Sequence, residues 1–124
     1  MRELGWKIGA VVTRNESSAR RAVRFIGGGR AQVGLSRRIL ASTCILIATP
    51  DAAIEAVANE LARIGGEELQ GRVVLHTSGA LDSSTLSAVR ACGAAVGSMH
   101  PLQTFSGVAI PPLEGKIFAI EGDP

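Results

Sequence analysis

The sequence predicts an α/β fold in three layers, a mainly parallel sheet with helices on its faces. Two observations carry this. Short, continuously apolar runs such as TCILIA at 43–48 and RVVLH at 72–76 suit strands covered on both faces of a parallel sheet. Between them lie segments with helical spacing of apolar residues, the alternation that builds β-α-β units with right-handed crossovers.

Lys7–Thr13 (KIGAVVT) opens the series as a buried, β-branched strand ending in the polar cluster RNESS. Ser17–Ile26 then places Ala19, Ala22, Val23 and Ile26 on one helical face with Arg20, Arg21 and Arg24 largely opposite. Asn15 or Ser17 suits the cap, and the triple glycine Gly27–Gly29 stops the helix. The stretch GRAQVGLSRRILAS reads as an irregular connection. After the strand at 43–48, Thr49 is the expected N-cap, Pro50 the first helical residue and Asp51 an acid at the positive helix end. Ile54, Val57, Ala58, Leu61 and Ile64 follow at helical spacing, and Gly65 ends the helix. The strand RVVLH leads to TSGALDSS, where Asp82 or Ser83 opens a helix through Leu86, Val89 and Cys92, closed by Gly93. Ala94–Met99 is a further strand leading into HPLQTF, a proline-containing loop follows, and Lys116–Glu121 (KIFAIE) is the last strand. Gly122-Asp123-Pro124 resembles a helix start.

At 124 residues, with 46% hydrophobic and 19% charged residues, the chain is expected to be one soluble globular domain over 1–124. Aromatics make up 3%, so the core must be aliphatic. No run approaches the ~20 apolar residues that span a bilayer, and the start carries no secretory signal pattern. Cys44 and Cys92 lie far apart without C-x-x-C spacing and read as small buried hydrophobes in a cytoplasmic protein. Charge is uneven: nine Arg/Lys against two acids up to Pro50, and four against nine from Asp51 onward. This suggests an anion partner for the first half, although a solvated basic helix explains most of those arginines equally. No aromatic interleaves with Arg20, Arg21, Arg24, Arg30, Arg37 and Arg38, which argues against nucleic acid.

Ligands of open parallel sheets bind beyond the carboxyl ends of the strands. Those ends carry Thr13-Arg14-Asn15, Ala48-Thr49-Pro50-Asp51, His76-Thr77-Ser78-Gly79 and Ser98-Met99-His100-Pro101. Domains specific for NAD usually place an acid at the first of these ends. Here Arg14 stands there with Thr13, Ser17 and Ser18, and Arg21 behind them. A guanidinium and hydroxyls at a helix start suit a phosphate and so favour NADP, while an ordinary basic turn with serine caps has the same composition. His76 and His100, the only histidines, both fall on this side. Each suits either proton transfer or a structural bond to turn carbonyls; His76 reads as structural, and His100 stays open as a catalytic acid. Asp51 reads as a helix-start acid. Gln103 and Thr104 suit either substrate binding or loop anchoring. No paired carboxylates, Ser-His-Asp set or metal-ligand spacing is visible.

HTSGAL, GSMHPLQTF and KIFAIEGDP, together with VVTRNESSARRA and ILIATPDAAI, resemble one family along nearly the whole chain. It comprises the Rossmann-like proteins with a C-terminal helical domain, relatives of the deazaflavin-dependent NADP oxidoreductases and of pyrroline-5-carboxylate reductase. The resemblance implies an NADP-dependent oxidoreductase. Arg14 and Ser17 would approach the adenosine 2′-phosphate, and Ala48, Thr49 and Pro50 would lie along the cofactor. Thr77, Ser78, Gly79 and His100 would face the nicotinamide and a small-molecule substrate. It further implies a homodimer for a full-length protein.

The family opens with a strand carrying G-x-G-x-x-G, and here Met1–Trp6 reads as the tail of the helix that follows such a turn. The glycines of Gly27–Gly34 follow a helix and have the wrong spacing to replace it. The expectation is therefore a fragment running from the second strand to the sixth, lacking that first strand and the helical domain, and inactive alone. In the usual order 3-2-1-4-5-6 its absence would leave two unpaired edges in mid-sheet, a poorly stable arrangement unless strand 2 pairs with strand 4. The alternative function is a non-catalytic nucleotide-sensing or protein-interaction module.

Overall fold

A computed structural model of the chain describes residue 5, residues 7–101 and residues 118–124, with the side chains of Pro101 and Phe118 left aside. The expected helix tail at Met1–Trp6, the Gln103 and Thr104 positions and the proline-containing loop lie essentially outside the described residues. The chain divides into two compact units, Met1–Thr43 and Cys44–Pro124.

The first unit is a β-α-β element. β1 (Ala10–Thr13) and β2 (Arg30–Val33) pair in parallel, Ala10 opposite Arg30 and Thr13 opposite Val33, with α1 (Glu16–Ile26) between them in sequence. Asn15 caps α1, its side-chain oxygen accepting from the Ser18 N–H at 2.9 Å. Gly27 ends it by donating to the Val23 carbonyl at 2.8 Å. Ala19 is fully buried, Ala22, Val23 and Ile26 are half-buried, and Arg20, Arg21 and Arg24 are exposed, which is the face division expected.

β2 occupies the stretch that reads as irregular in sequence. Its residues Arg30, Ala31 and Val33 are exposed and Gln32 half-buried, so it lacks the apolar run by which a covered strand is recognised. Main-chain geometry places it instead. Arg30 N–H donates to the Gly9 carbonyl and Gly34 N–H to that of Thr13, both at 2.9 Å. Gly29 makes the approach possible: a Cβ there would stand 2.9 Å from the Gly9 oxygen, and its φ of +93° lies in the left-handed region. Ser36 then caps a 3-10 turn at Arg37–Ala41, which buries Ile39 and Leu40. β1 is half-buried at every position, less than the expected covered strand, because one partner strand and one helix shield only part of it.

The second unit holds a four-stranded sheet in the order β3-β4-β5-β6. β3 (Cys44–Ile47), β4 (Val73–His76) and β5 (Ala95–Pro101) run parallel, and β6 (Phe118–Gly122) pairs antiparallel with β5. Two successive right-handed crossovers in one direction put α2 (Asp51–Gly65) and α3 (Ser87–Ala91) on one face of this sheet. The strand residues facing them are buried: Ile45 and Ile47, Val74 and His76, Val96 and Ser98. Ile54, Ala58 and Leu61 of α2 and Val89 of α3 complete the core at 0% exposure, while Leu46 and Val73 on the opposite face are each 38% exposed. Burying a side chain such as Leu61 contributes roughly 1.5–3 kcal/mol.

Three boundaries differ from expectation. Pro50, not Thr49, is the cap residue of α2 and makes no side-chain cap bond, so the helix proper starts at Asp51. The segment after Asp82 is a 3-10 turn at Ser83–Leu86 before it becomes α3. Gly122-Asp123 continues from β6 instead of starting a helix: Asp123 N–H donates to the Val96 carbonyl at 2.9 Å, and its carboxylate accepts from Val96 N–H at 3.1 Å.

Candidate functional site

In the first unit, the turn from β1 into α1 is organised by Asn15. The Thr13 hydroxyl donates to the Asn15 carbonyl at 2.7 Å and the Ser17 hydroxyl to the Asn15 side-chain oxygen at 2.9 Å. That oxygen also receives the Ser18 N–H, so Thr13, Ser17 and Ser18 each give one donor to the turn. Glu16, in the first helical turn, pairs along the helix with Arg20. Arg14 and Arg21 are exposed, and Arg14 makes no hydrogen bond or ion pair with other described residues.

In the second unit, the end of β3 carries exposed Ala48, half-buried Thr49 and exposed Pro50. Thr49 reaches only the Pro50 carbonyl, at 3.4 Å.

The end of β4 is more constrained. His76 is fully buried. Its Nδ1 accepts from the Ser78 N–H at 3.1 Å, which leaves the ring proton on Nε2, donated to the Asp82 carbonyl at 2.9 Å. The Ser78 hydroxyl is buried in the same turn and accepts from the N–H groups of Ala80 and Leu81 at 3.1 and 3.2 Å. Asp82 caps the next turn through Ser84, and the Ser84 hydroxyl, followed by its N–H, holds the Asp82 carboxyl below the usual range.

His100 belongs to β5, opposite Ala119 of β6, one residue beyond the strand end expected from sequence. Its Nδ1 donates to the Thr77 carbonyl at 3.0 Å. The imidazole lies against Gly79, where a Cβ would stand 2.8 Å from both Cδ2 and Nε2. Nε2 of the half-buried ring has no hydrogen-bond partner among the described residues. Thr77, Gly79 and His100 are thus brought together, with Ser78 beneath them holding the turn.

Two carboxylates absent from the sequence reading brace this region. Glu121 accepts from the Ser83 N–H at 2.6 Å and hydroxyl at 2.7 Å, across 38 residues of sequence. Asp123 pairs with Arg90 at 2.9 Å. The Val96 N–H first, and then the Arg90 guanidinium, keep its carboxyl below the usual range. Nothing short of the β5–β6 register points to these pairs. Among the described residues no group of three His, Cys, Asp or Glu is placed to hold a metal ion, and no helix is long and apolar enough to cross a membrane.

Comparison with known proteins bears on the fold. No curated protein matches the chain in sequence. A solved structure from Bacteroides fragilis, described as a putative NADP oxidoreductase, superposes with a TM-score of 0.73 over 98% of this chain at 20% identity. The chain spans 44% of the length of that protein, and at this identity the likeness carries the fold. The sequence model of the Rossmann-like domain matches residues 2–101. The chain belongs to the Rossmann-like domain family.

Proposed function

We propose that the chain binds a dinucleotide, NADP in preference to NAD, and serves an oxidoreductase in which His100 exchanges a proton with a small-molecule substrate. The observation that carries this reading is the His100 ring at the ligand end of the parallel strands. Its Nδ1 is tied to the Thr77 carbonyl, and its Nε2 has no hydrogen-bond partner among the described residues.

The donor chemistry fits the cofactor at its ends. At the first strand end the exposed Arg14 guanidinium suits a 2′-phosphate, with the Thr13 and Ser17 oxygens still able to accept from ribose hydroxyls. Among the described residues the pyrophosphate has no such group: Gly27 ends a helix and Gly29 fits against β1, so this glycine cluster is structural. The bound cofactor would supply the hydride. The chain's own part is orientation, through the Thr77–Gly79 turn and possession of a proton site at His100 Nε2. A longer, homodimeric and cytoplasmic protein completes the proposal; the free thiols of Cys44 and Cys92 suit a reducing compartment.

Fluorescence titration of the chain with NADPH and NADH tests the reading. NADPH is expected to bind more tightly, and Arg14→Ala to remove that preference by roughly tenfold or more, the weight of one charged hydrogen bond. Equal affinity for the two nucleotides refutes the NADP preference, and no binding of either refutes the dinucleotide reading.

A further inference from the structure

We propose that buried His76 is a positioning residue, which sets the tautomer of His100 by fixing the one carbonyl that His100 uses. The functional meaning rests on the reading of His100 above; the structural coupling is independent of it.

The His76 ring joins two points of the turn that follows β4. It accepts from Ser78 N–H and donates to the Asp82 carbonyl, so residues 77–81 are closed over the imidazole. The Ser78 hydroxyl tightens the loop by accepting from Ala80 and Leu81. Thr77 stands between two residues so held, one of them in the β4 ladder opposite Ser98 and the other tied to the His76 ring. The peptide joining Thr77 to Ser78 therefore has its N–H committed to His76, and the carbonyl of that same peptide accepts the His100 proton. A peptide unit is rigid, so fixing the direction of its N–H fixes its C=O.

The two histidines consequently hold opposite tautomers. His76 carries its proton on Nε2, and His100 carries its proton on Nδ1 with the lone pair on Nε2. Which ring nitrogen carries the proton is set by the bond the other makes. Losing His76 leaves the Thr77–Ser78 peptide free to rotate and the Asp82 carbonyl without its donor. The Nδ1–H form of His100 then loses its acceptor.

Long-range ¹H–¹⁵N NMR of the whole chain, without nucleotide, reads both rings directly. In the wild type, His76 is expected as Nε2–H and His100 as Nδ1–H. In His76→Phe the ratio of Nδ1–H to Nε2–H at His100 is expected to fall about three- to tenfold, the weight of one hydrogen bond. His76→Gln, whose amide offers both a donor and an acceptor, should recover most of that ratio. A folded His76→Phe chain that keeps His100 as Nδ1–H overturns the proposal, as does a wild-type His100 protonated on Nε2. Should His76→Phe not fold, wild-type exchange decides: the Ser78 amide and the His100 Nδ1 proton are expected to open together. A Ser78 amide that stays protected while the His100 proton exchanges freely overturns it. Failure of the nucleotide titration would remove the dinucleotide reading and leave these tautomers unchanged.

Discussion

Replacing Gly79 by alanine tests how closely His100 is seated. The added Cβ would stand 2.8 Å from Cδ2 and Nε2 of the ring, against an ordinary contact that begins at 3.4 Å. The φ of Gly79 lies outside the left-handed region, so alanine brings no backbone strain and the perturbation is confined to this contact. Relief requires a separation of roughly 0.6 Å between exposed Gly79 and the half-buried ring, and overpacking of this kind costs about 1–3 kcal/mol in a well-packed core. The ring is not free to move, because its Nδ1 is tied to the Thr77 carbonyl at 3.0 Å. A retreat of that size away from the turn stretches the bond to about 3.6 Å, where it no longer counts as a hydrogen bond. Its loss contributes about 0.5–1.5 kcal/mol of the cost. Gly79→Ala is therefore expected to lower unfolding stability by about 1–3 kcal/mol at unchanged m-value, and to weaken the His100 Nδ1–H signal. An unchanged urea midpoint with that signal intact would refute the seating of the ring against the turn.

Leu61→Ala empties a fully buried position of α2 and should cost about 3–5 kcal/mol in urea unfolding; a loss below about 1 kcal/mol would mean that the helix does not pack on the sheet as described. Acid should act through Asp123 and Asp82, whose folded carboxyls titrate below their unfolded value of about 3.9. A depressed folded pKa means that the stability they contribute is present above the unfolded value and is lost as pH falls through the folded one. The protection factors of the Val96 and Ser84 amides, taken relative to their intrinsic exchange rates, should therefore fall below about pH 4 and stay flat between about pH 5 and 8. Asp123→Asn should remove the acid-dependent part at Val96, and an identical profile in that variant would exclude the carboxylate as its source.

What could be read from sequence followed the range of the interactions involved. α2 was legible because Ile54, Ala58 and Leu61 recur on one face, and α1 because Asn15 and Gly27 mark its ends within a few residues. β2 was not, since Arg30-Ala31-Gln32-Val33 buries little and is held by main-chain bonds to Gly9 and Thr13, which carry no side-chain signature. The cap of α2 was misplaced by one residue. Thr49 precedes a proline whose extended ψ of 148° leaves that proline as the boundary, and the hydroxyl has no helical N–H within reach. Of the candidate site residues, those from Thr77 to His100 are brought together by the sheet. Ser78 was expected from the resemblance to face the nicotinamide, and its N–H and hydroxyl both serve the turn. Glu121 and Asp123 act over sequence separations of 38 and 33 residues, beyond any local pattern.

Strand alternation accounts for the relation between the two histidines. In the parallel β4–β5 ladder His76 stands opposite Ser98, so both point to the helix-covered face, and His100, two residues on, returns to that face. β4 ends at His76 while β5 runs on to Pro101, which carries His100 past the last paired residue of its neighbour. Its ring then meets the turn and not another strand. A carbonyl of that turn is the acceptor nearest to hand, and a glycine at position 79 is what lets the ring close on it. The same offset explains why one histidine is enclosed and the other is not. His76 lies under the turn and has both nitrogens engaged, whereas His100 lies beside it with one nitrogen engaged and the other without a hydrogen bond among the described residues. Two histidines alike in sequence position, each near a strand end, differ in their surroundings because His100 stands two residues beyond the last paired residue of β4.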